Sequence, residues 1–306
     1  MSLTVNRGDI ALDQSASADR RALPSAVKTS RRMNWKRRLL IGVVVLLGLV
    51  VVALTATRLA IRHDRLPLYD AARSRSVPTD IYLRRDKAMA AYAGVTRLPV
   101  AIVNHGNTVG SSEYSFLCNM LAARGFLVAS IQHDLPTDPP LSMQGYPYVG
   151  RLPAYERGAA NIDFVLGELK KREPNADYGH LLVVGHSNGG DISVFYAAAH
   201  PDTVGKVVTL DNLRVPLEFV RGRLLSFRSA GGAFKPDPGV VPGDTDREKD
   251  GIDVVMTGAP HTELNDRGPE ALKEKINGAL SEFLDKEKPA PKRPPVTTQY
   301  APGAPY

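Results

Sequence analysis

A serine flanked by two glycines restricts this chain to few architectures. The segment 185–189 reads Gly-His-Ser-Asn-Gly, and it stands between an apolar run at 181–184 and a helical pattern. A serine at the tip of such a strand–turn–helix needs residues with almost no side chain two positions away, and glycine stands at both. The pattern therefore predicts a nucleophile elbow, which presents the hydroxyl group of Ser187 beyond a strand end beside the backbone N–H of Asn188.

Apolar runs and helical patterns alternate along the chain on both sides of this serine. Runs typical of strands lie at 77–83, 99–103, 126–131, 181–184, 206–210, 223–228 and 252–256, the first of them as an edge strand. Helical patterns lie at 112–124, at 154–172, around 192–199 and around 272–283. This alternation predicts an α/β fold, a mostly parallel sheet with helices on both faces, in which ligands bind beyond the carboxyl ends of the strands.

A nucleophilic serine needs a base and an acid that orients the base, and in such folds the acid and then the histidine follow it along the chain. His261 fits the base, because a short loop separates it from the strand at 252–256. Two carboxylates fit the acid: Asp211 follows the strand at 206–210, and Asp237 lies in the loop after the next strand. We favour Asp211, because a carboxylate tight against a strand end is held more firmly, and Asp237 stays as the alternative.

The loop after the strand at 99–103 is expected to supply a second donor for an oxyanion. Gly106 allows the backbone there to approach a substrate, and the N–H of Asn107 becomes the partner of the N–H of Asn188. His105 is expected to brace this loop. The two N–H groups would together stabilise the oxyanion of a tetrahedral intermediate.

Several of these segments resemble the α/β-hydrolase superfamily, and within it the platelet-activating-factor acetylhydrolase and dienelactone-hydrolase-like serine esterases. The similar segments are 105–107, 121–129, the elbow, Leu210-Asp211 and His261, and the resemblance covers residues 76–286. It implies the α/β-hydrolase fold and a serine hydrolase, but the family's substrate does not carry over, because Asn188 replaces the family's usual residue after the serine. The expected substrate is a small-molecule or lipid-like ester of unknown acyl group, cleaved through an acyl-enzyme without a metal or an organic cofactor. In the acetylhydrolase family the acid ends the strand after the elbow helix, as Asp211 does. In most other α/β-hydrolases it follows the next strand, as Asp237 does.

Two other functions fit the same sequence. An acyltransferase would use the same three side chains and release the acyl group to an alcohol or an amine in place of water. A non-catalytic binding protein would use the cleft for recognition only. The intact serine, histidine and acid candidates argue against the second of these.

The segment 134–155 is rich in Pro and Tyr and is long for a connection. It is predicted to form a wall of the pocket suited to an apolar or aromatic group, with Leu141, Met143, Tyr146 and Tyr148. A surface loop with stray apolar residues is the alternative interpretation.

Residues 39–57 contain no charged side chain and are almost all Leu, Val, Ile, Ala and Gly. A helix needs about 20 apolar residues to cross a bilayer, and Trp35 stands where an interfacial aromatic residue belongs. The sequence therefore predicts a single-pass signal-anchor. Basic residues are denser before it, which places residues 1–38 in the cytoplasm and the catalytic domain in the periplasm or outside the cell. A cleaved signal peptide is the competing interpretation, although the segment before the apolar run and the run itself are long for one, and no clear small-x-small cleavage site precedes Arg58.

The remaining segments are defined by composition. Residues 1–38 form a basic tail expected to be disordered, residues 58–75 a linker, residues 76–287 the catalytic domain and residues 288–306 a Pro-rich disordered tail. The net charge of +7 comes from basic residues crowded in the first segment, so nucleic-acid binding is not expected. Cys118 is the only cysteine, which rules out an internal disulfide, and we expect its side chain to be buried.

Overall fold

A computed structural model describes most of the chain, in three ranges: residues 35–142, 147–220 and 222–286. The two predicted tails lie outside these ranges, apart from residues 35–38, so their disorder stays a prediction. Three residues of the predicted pocket wall also lie outside the described side chains: Met143, Tyr146 and Tyr148.

The chain divides into two compact units, residues 1–51 and residues 52–306. Helix α1 (Trp35–Leu59) begins in the first unit, and its described side chains are all exposed. The segment Trp35–Ala56 has 22 residues and is apolar enough to cross a membrane, by length and composition. A signal sequence satisfies the same criterion, so the membrane anchor over residues 39–57 stays a prediction.

The second unit contains an eight-stranded sheet. In chain order its strands are β1 (Ile61–Asp70), β2 (Arg75–Arg84), β3 (Leu98–Asn104), β4 (Leu127–Ile131), β5 (Ala176–His186), β6 (Val204–Leu210), β7 (Arg223–Arg228) and β8 (Ile252–Met256). Across the sheet the order is β1-β2-β4-β3-β5-β6-β7-β8. The β1–β2 and β2–β4 pairs are antiparallel and the other pairs are parallel. The sheet is therefore mostly parallel, as the alternation of elements predicted.

Two predictions about the amino-terminal side of the sheet are wrong. The segment 58–75 is not a linker, because β1 occupies residues 61–70 and pairs with β2 along its whole length. The segment 77–83 is not an edge strand, because it lies within β2, between β1 and β4. Half of the side chains of β1 are exposed and most are polar, so the local sequence carries only a weak strand signal.

Helices cover both faces of the sheet. The described helices of the second unit are α2 (Arg85–Tyr92), α3 (Ser115–Ala123), α4 (Pro147–Arg172), α5 (Asn188–Ala199), α6 (Asp244–Asp250) and α7 (Glu270–Asp285). Apolar side chains of α4 and α5 pack in one core, and those of α3 and α7 pack in a second core across the sheet. Successive residues of the central strands alternate between the two cores, as Ile102 and Val103 of β3 do.

The first residues of α3 and α4 differ from the predicted ones. A 3-10 turn at Ser111–Tyr114 precedes α3, so the α-helix itself is shorter than the predicted 112–124. Helix α4 begins at Pro147 and runs through Pro153, whereas the prediction starts after that proline because proline is unfavourable inside a helix. The buried position of Cys118 on α3 is confirmed.

Candidate active site

The segment 185–189 forms a strand–turn–helix elbow. β5 ends and α5 begins on either side of Ser187, which makes the turn between them with φ 53° and ψ −119°. This positive φ is strained for a residue that carries a Cβ atom. A Cβ atom on Gly185 would overlap the carbonyl group of Gly189, and one on Gly189 would overlap the carbonyl group of Asn104. Close packing of backbone against backbone therefore requires glycine at both positions.

His261 lies between the two other residues of the predicted triad. The hydroxyl group of Ser187 donates a hydrogen bond to Nε2 of His261 over 2.9 Å, and Nδ1 donates to Oδ2 of Asp211 over 2.7 Å. Ser187 follows β5, Asp211 follows β6, and His261 follows the loop after β8. The ring of His261 also stacks on Phe234, with 4.4 Å between ring centroids. The structure thus joins three side chains that are as many as 74 residues apart into one hydrogen-bonded line.

Asp211 is held from several sides. Its Oδ1 accepts a hydrogen bond from the backbone N–H of Ser229 over 3.2 Å, and the guanidinium group of Arg228 lies 3.0 Å away. Burial acts to raise the pKa of Asp211, but the hydrogen bond from His261 and the charge of Arg228 outweigh it and hold the pKa below its ordinary value. The carboxyl group is therefore ionised at neutral pH.

The alternative acid, Asp237, has a different partner. Its Oδ1 accepts a hydrogen bond from the guanidinium group of Arg214 over 2.6 Å, and its backbone N–H donates to the carbonyl oxygen of Leu213. These bonds tie the loop after β7 to the loop after β6. The carboxylate that contacts His261 is that of Asp211.

The two predicted oxyanion donors occupy different environments. Asn107 lies in the loop after β3, is exposed, and lines the same cavity as Ser187. Asn188 is buried and is the first residue of α5. The roles of their backbone N–H groups stay predictions. His105 braces the loop as expected, since its Nδ1 donates to the carbonyl oxygen of Gly106 over 2.8 Å.

A cavity of about 260 Å³ opens beside Ser187 and His261. Its apolar lining side chains include Val109, Leu141, Leu213 and Phe234. Its charged lining side chains, among the described residues, are three arginines and no carboxylates: Arg151, Arg214 and Arg267. A depression of about 430 Å³ lined by residues of α6, β8 and α7 contains none of the predicted site residues.

Sequence reasoning missed several residues around the site. Arg228 ends β7, and parallel strands end at one edge of a sheet, so its place near Asp211 could have been inferred from two predicted strands. Asp191 on the elbow helix carried a weaker signal, an acidic residue in a buried first turn. Tyr114 and Phe234 reach the site from distant segments, and no local pattern marks them.

No protein-family model and no curated protein matches the sequence. Solved structures are nevertheless similar in fold. A ferulic acid esterase from Streptomyces cinnamoneus superposes with a TM-score of 0.55 at 16% sequence identity, over 80% of this chain and 96% of that one. A protein from Klebsiella pneumoniae subsp. pneumoniae described as a dienelactone hydrolase gives a TM-score of 0.52 at 17% identity, over 74% of this chain and 100% of that one. The fold of the second unit is therefore that of the α/β-hydrolases, and the more particular likeness to platelet-activating-factor acetylhydrolases stays a prediction.

Proposed function

We propose that this protein is a serine hydrolase that cleaves the ester bond of a small-molecule or lipid-like substrate through an acyl-enzyme. One observation carries the proposal: the hydrogen-bonded line from Asp211 through His261 to Ser187 beside a cavity. An ionised carboxylate that orients an imidazole, with the imidazole in contact with a serine hydroxyl, is the arrangement that activates serine for acyl transfer. The fold shared with a ferulic acid esterase agrees with an ester substrate.

The proposed reaction has two halves. Oγ of Ser187 attacks the acyl carbonyl carbon while Nε2 of His261 takes its proton, and the N–H groups of Asn188 and Asn107 stabilise the oxyanion. The bond to the leaving alcohol then breaks, and His261 gives the proton to that alcohol. Water next gives a proton to His261 and attacks the acyl-enzyme, and Ser187 recovers the proton as the acid leaves. Asp211 stabilises the imidazolium in both halves.

The lining of the cavity favours an ester that carries a negative charge. Guanidinium groups bind carboxylates and phosphates through paired N–H groups, and three of them line this cavity, of which Arg214 is paired with Asp237 and Arg267 with Glu113. Arg151 is the most buried of the three and faces the buried elbow helix, where its charge acts on Asp191. The apolar part of such a substrate would lie against Phe234 and Leu141.

The proposed cellular location follows from the amino-terminal helix. Residues 39–57 would anchor the protein in a membrane by a single pass, with residues 1–38 in the cytoplasm and the catalytic domain in the periplasm or outside the cell. The length and composition of Trp35–Ala56 support this proposal. The mass of the protein recovered from membranes distinguishes the anchor from a cleaved signal peptide.

Labelling with a fluorophosphonate tests the proposed function. Full-length protein in detergent is expected to take the label, and Ser187→Ala is expected to take none. With p-nitrophenyl esters of increasing chain length, kcat should fall by about a thousandfold or more in Asp211→Asn and change little in Asp237→Asn. Folded wild-type protein that takes no label would reject the proposal in favour of a binding protein. Product analysis with an added alcohol separates a hydrolase from an acyltransferase.

A further inference from the structure

A chain of buried hydrogen bonds connects two parts of the candidate site. The backbone N–H of Gly106 donates to Oη of Tyr114 over 2.9 Å, and this hydroxyl donates to Nδ1 of His186 over 2.8 Å. Nε2 of His186 donates to the carbonyl oxygen of His261 over 3.1 Å. One tautomer of His186, with its proton on Nε2, satisfies both of its contacts. Gly106 directly precedes Asn107, the proposed oxyanion donor. These hydrogen bonds therefore connect the loop of Asn107 to the backbone of His261, the proposed base.

The middle of this chain is closed to solvent and stays neutral. Tyr114 and His186 are 1% and 2% exposed. Burial, together with the neighbouring His261, lowers the pKa of His186 to about 3. Burial also raises the pKa of Tyr114 above its ordinary value. Both side chains therefore keep the protonation states that the chain requires over the pH range in which serine esterases act.

Gly106 fits closely onto these two side chains. A Cβ atom on Gly106 would lie 2.9 Å from Nδ1 of His186 and 3.3 Å from Oη of Tyr114. The carbonyl oxygen of Gly106 is bound as well, by Nδ1 of His105 over 2.8 Å and by the backbone N–H of Val109 over 3.1 Å. Contact with Tyr114 and His186 thus explains why position 106 is a glycine, in addition to the close approach of a substrate predicted from the sequence.

The other end of this series of hydrogen bonds lies at His261, the proposed base. The ring of His186 lies with its centroid 4.9 Å from that of His261, while its Nε2 holds the carbonyl oxygen of the same residue. His186 also directly precedes Ser187 in the elbow. A single buried residue therefore contacts the backbone of the proposed base through its ring and directly precedes Ser187 in the chain.

We propose that Tyr114 and His186 are positioning residues, which hold the oxyanion loop and the backbone of His261 at a fixed spacing around Ser187. The inference rests on the proposed function, since it assumes ester hydrolysis at Ser187. Loss of the phenol hydroxyl leaves the N–H of Gly106 and Nδ1 of His186 without their partners in this chain, so the donor loop and the base can shift apart. The transition state depends on this spacing more than substrate binding does, so the loss falls on kcat rather than on KM.

The test compares two tyrosine variants of the full-length protein in detergent. In Tyr114→Phe, kcat for a p-nitrophenyl ester is expected to fall about ten- to hundredfold, while KM stays within about twofold. The matched control is Tyr196→Phe, because Tyr196 is buried like Tyr114, at 2% exposed, and loses a hydrogen bond of 2.8 Å, to Asp163. Its kcat is expected to stay near that of the wild type. Rates are divided by the concentration of sites that take a fluorophosphonate, so unfolded protein does not count.

A second variant covers the case in which Tyr114→Phe does not fold. His186→Gln can place its amide N–H where Nε2 donates to the carbonyl oxygen of His261 but has no acceptor at the position of Nδ1, so it should lower kcat with little change in KM. The double variant should lose no more than the larger single loss, because both changes break one chain. Unchanged kcat in the folded variants, an equal fall in Tyr196→Phe, or additive losses would overturn the inference. Wild-type protein without label or turnover would instead reject the proposed function, and the inference with it.

Discussion

The carboxyl group of Asp211 lies between two basic side chains. Oδ2 accepts the hydrogen bond from His261, and Oδ1 faces the buried guanidinium group of Arg228, which also donates to the carbonyl oxygen of Asn212 over 2.9 Å. A cation beside a carboxylate keeps it ionised but weakens its stabilisation of a second cation. Arg228 therefore reduces the stabilisation that Asp211 gives to the imidazolium formed during the proposed reaction.

Arg228→Met is expected to move the acid limb of the pH profile of kcat/KM to higher pH. The physical reason is that protonated His261 then faces a carboxylate with no compensating cation. Ester hydrolysis measured across the acid range checks this. The control is Arg223→Met, because Arg223 begins the same strand and, like Arg228, is 6% exposed. An unmoved limb, or an equal shift in the control, contradicts the account.

At the level of elements, the elbow helix holds the loop that leaves β6 after Asp211. Asp191, in the first turn of α5, is fully buried, and its Oδ1 accepts hydrogen bonds from three consecutive backbone N–H groups of that loop, those of Leu213, Arg214 and Val215. Burial raises the pKa of Asp191, although the hydrogen bonds from the loop act to lower it. The helix that begins after Ser187 thus also fixes the segment that begins with the proposed acid.

Asp191→Ala is expected to lower the free energy of unfolding by about 3 kcal/mol, because three buried N–H groups lose their acceptor. The value of kcat should fall as well, since Asp211 loses its fixed loop. Urea denaturation and ester hydrolysis measure the two effects. Asp163→Ala is the control, because Asp163 on α4 accepts the hydrogen bond of the Tyr196 hydroxyl group. If both variants lose the same stability, Asp191 does not hold the loop as described.

On the scale of the whole molecule, the sheet begins earlier than the composition suggests. β1 pairs with β2 from Ile61 opposite Arg84 to Asp70 opposite Arg75. The ring of His63 stacks on Tyr82, with 4.2 Å between centroids. The strand therefore belongs to the folded unit and shields β2 from solvent along one edge.

Two fragments are expected to differ in stability. A fragment of residues 60–286 should unfold in one cooperative transition, whereas a fragment of residues 76–286 should melt at least about 5 °C lower. The shorter fragment exposes the edge of β2 and loses buried contacts of Leu68. Thermal melts followed by circular dichroism measure the difference. Equal melting temperatures would mean that β1 adds nothing to the fold.

Elements around the elbow could be predicted because their signals are local. β7 and β8 have the predicted bounds, and α7 buries the four predicted apolar positions, Leu272, Ile276, Leu280 and Phe283. β1 could not be predicted, because its polar residues become a strand only through pairing with β2. Periodicity within one segment is readable from sequence, but the partner of a strand is not.

The candidate site, like the fold, could be predicted from local sequence only in part. Local sequence was enough for the strained turn at Ser187, since its glycines fall within five residues, and for the order in which an acid and His261 follow. Only the folded chain shows that Asp211, and not Asp237, contacts His261, and that Arg228 lies beside Asp211. The contact between His261 and Asp211 joins positions 50 residues apart. Such a contact depends on the order of the strands and the path of the loops. Both arise from packing of the whole sheet, so no short segment of sequence predicts them.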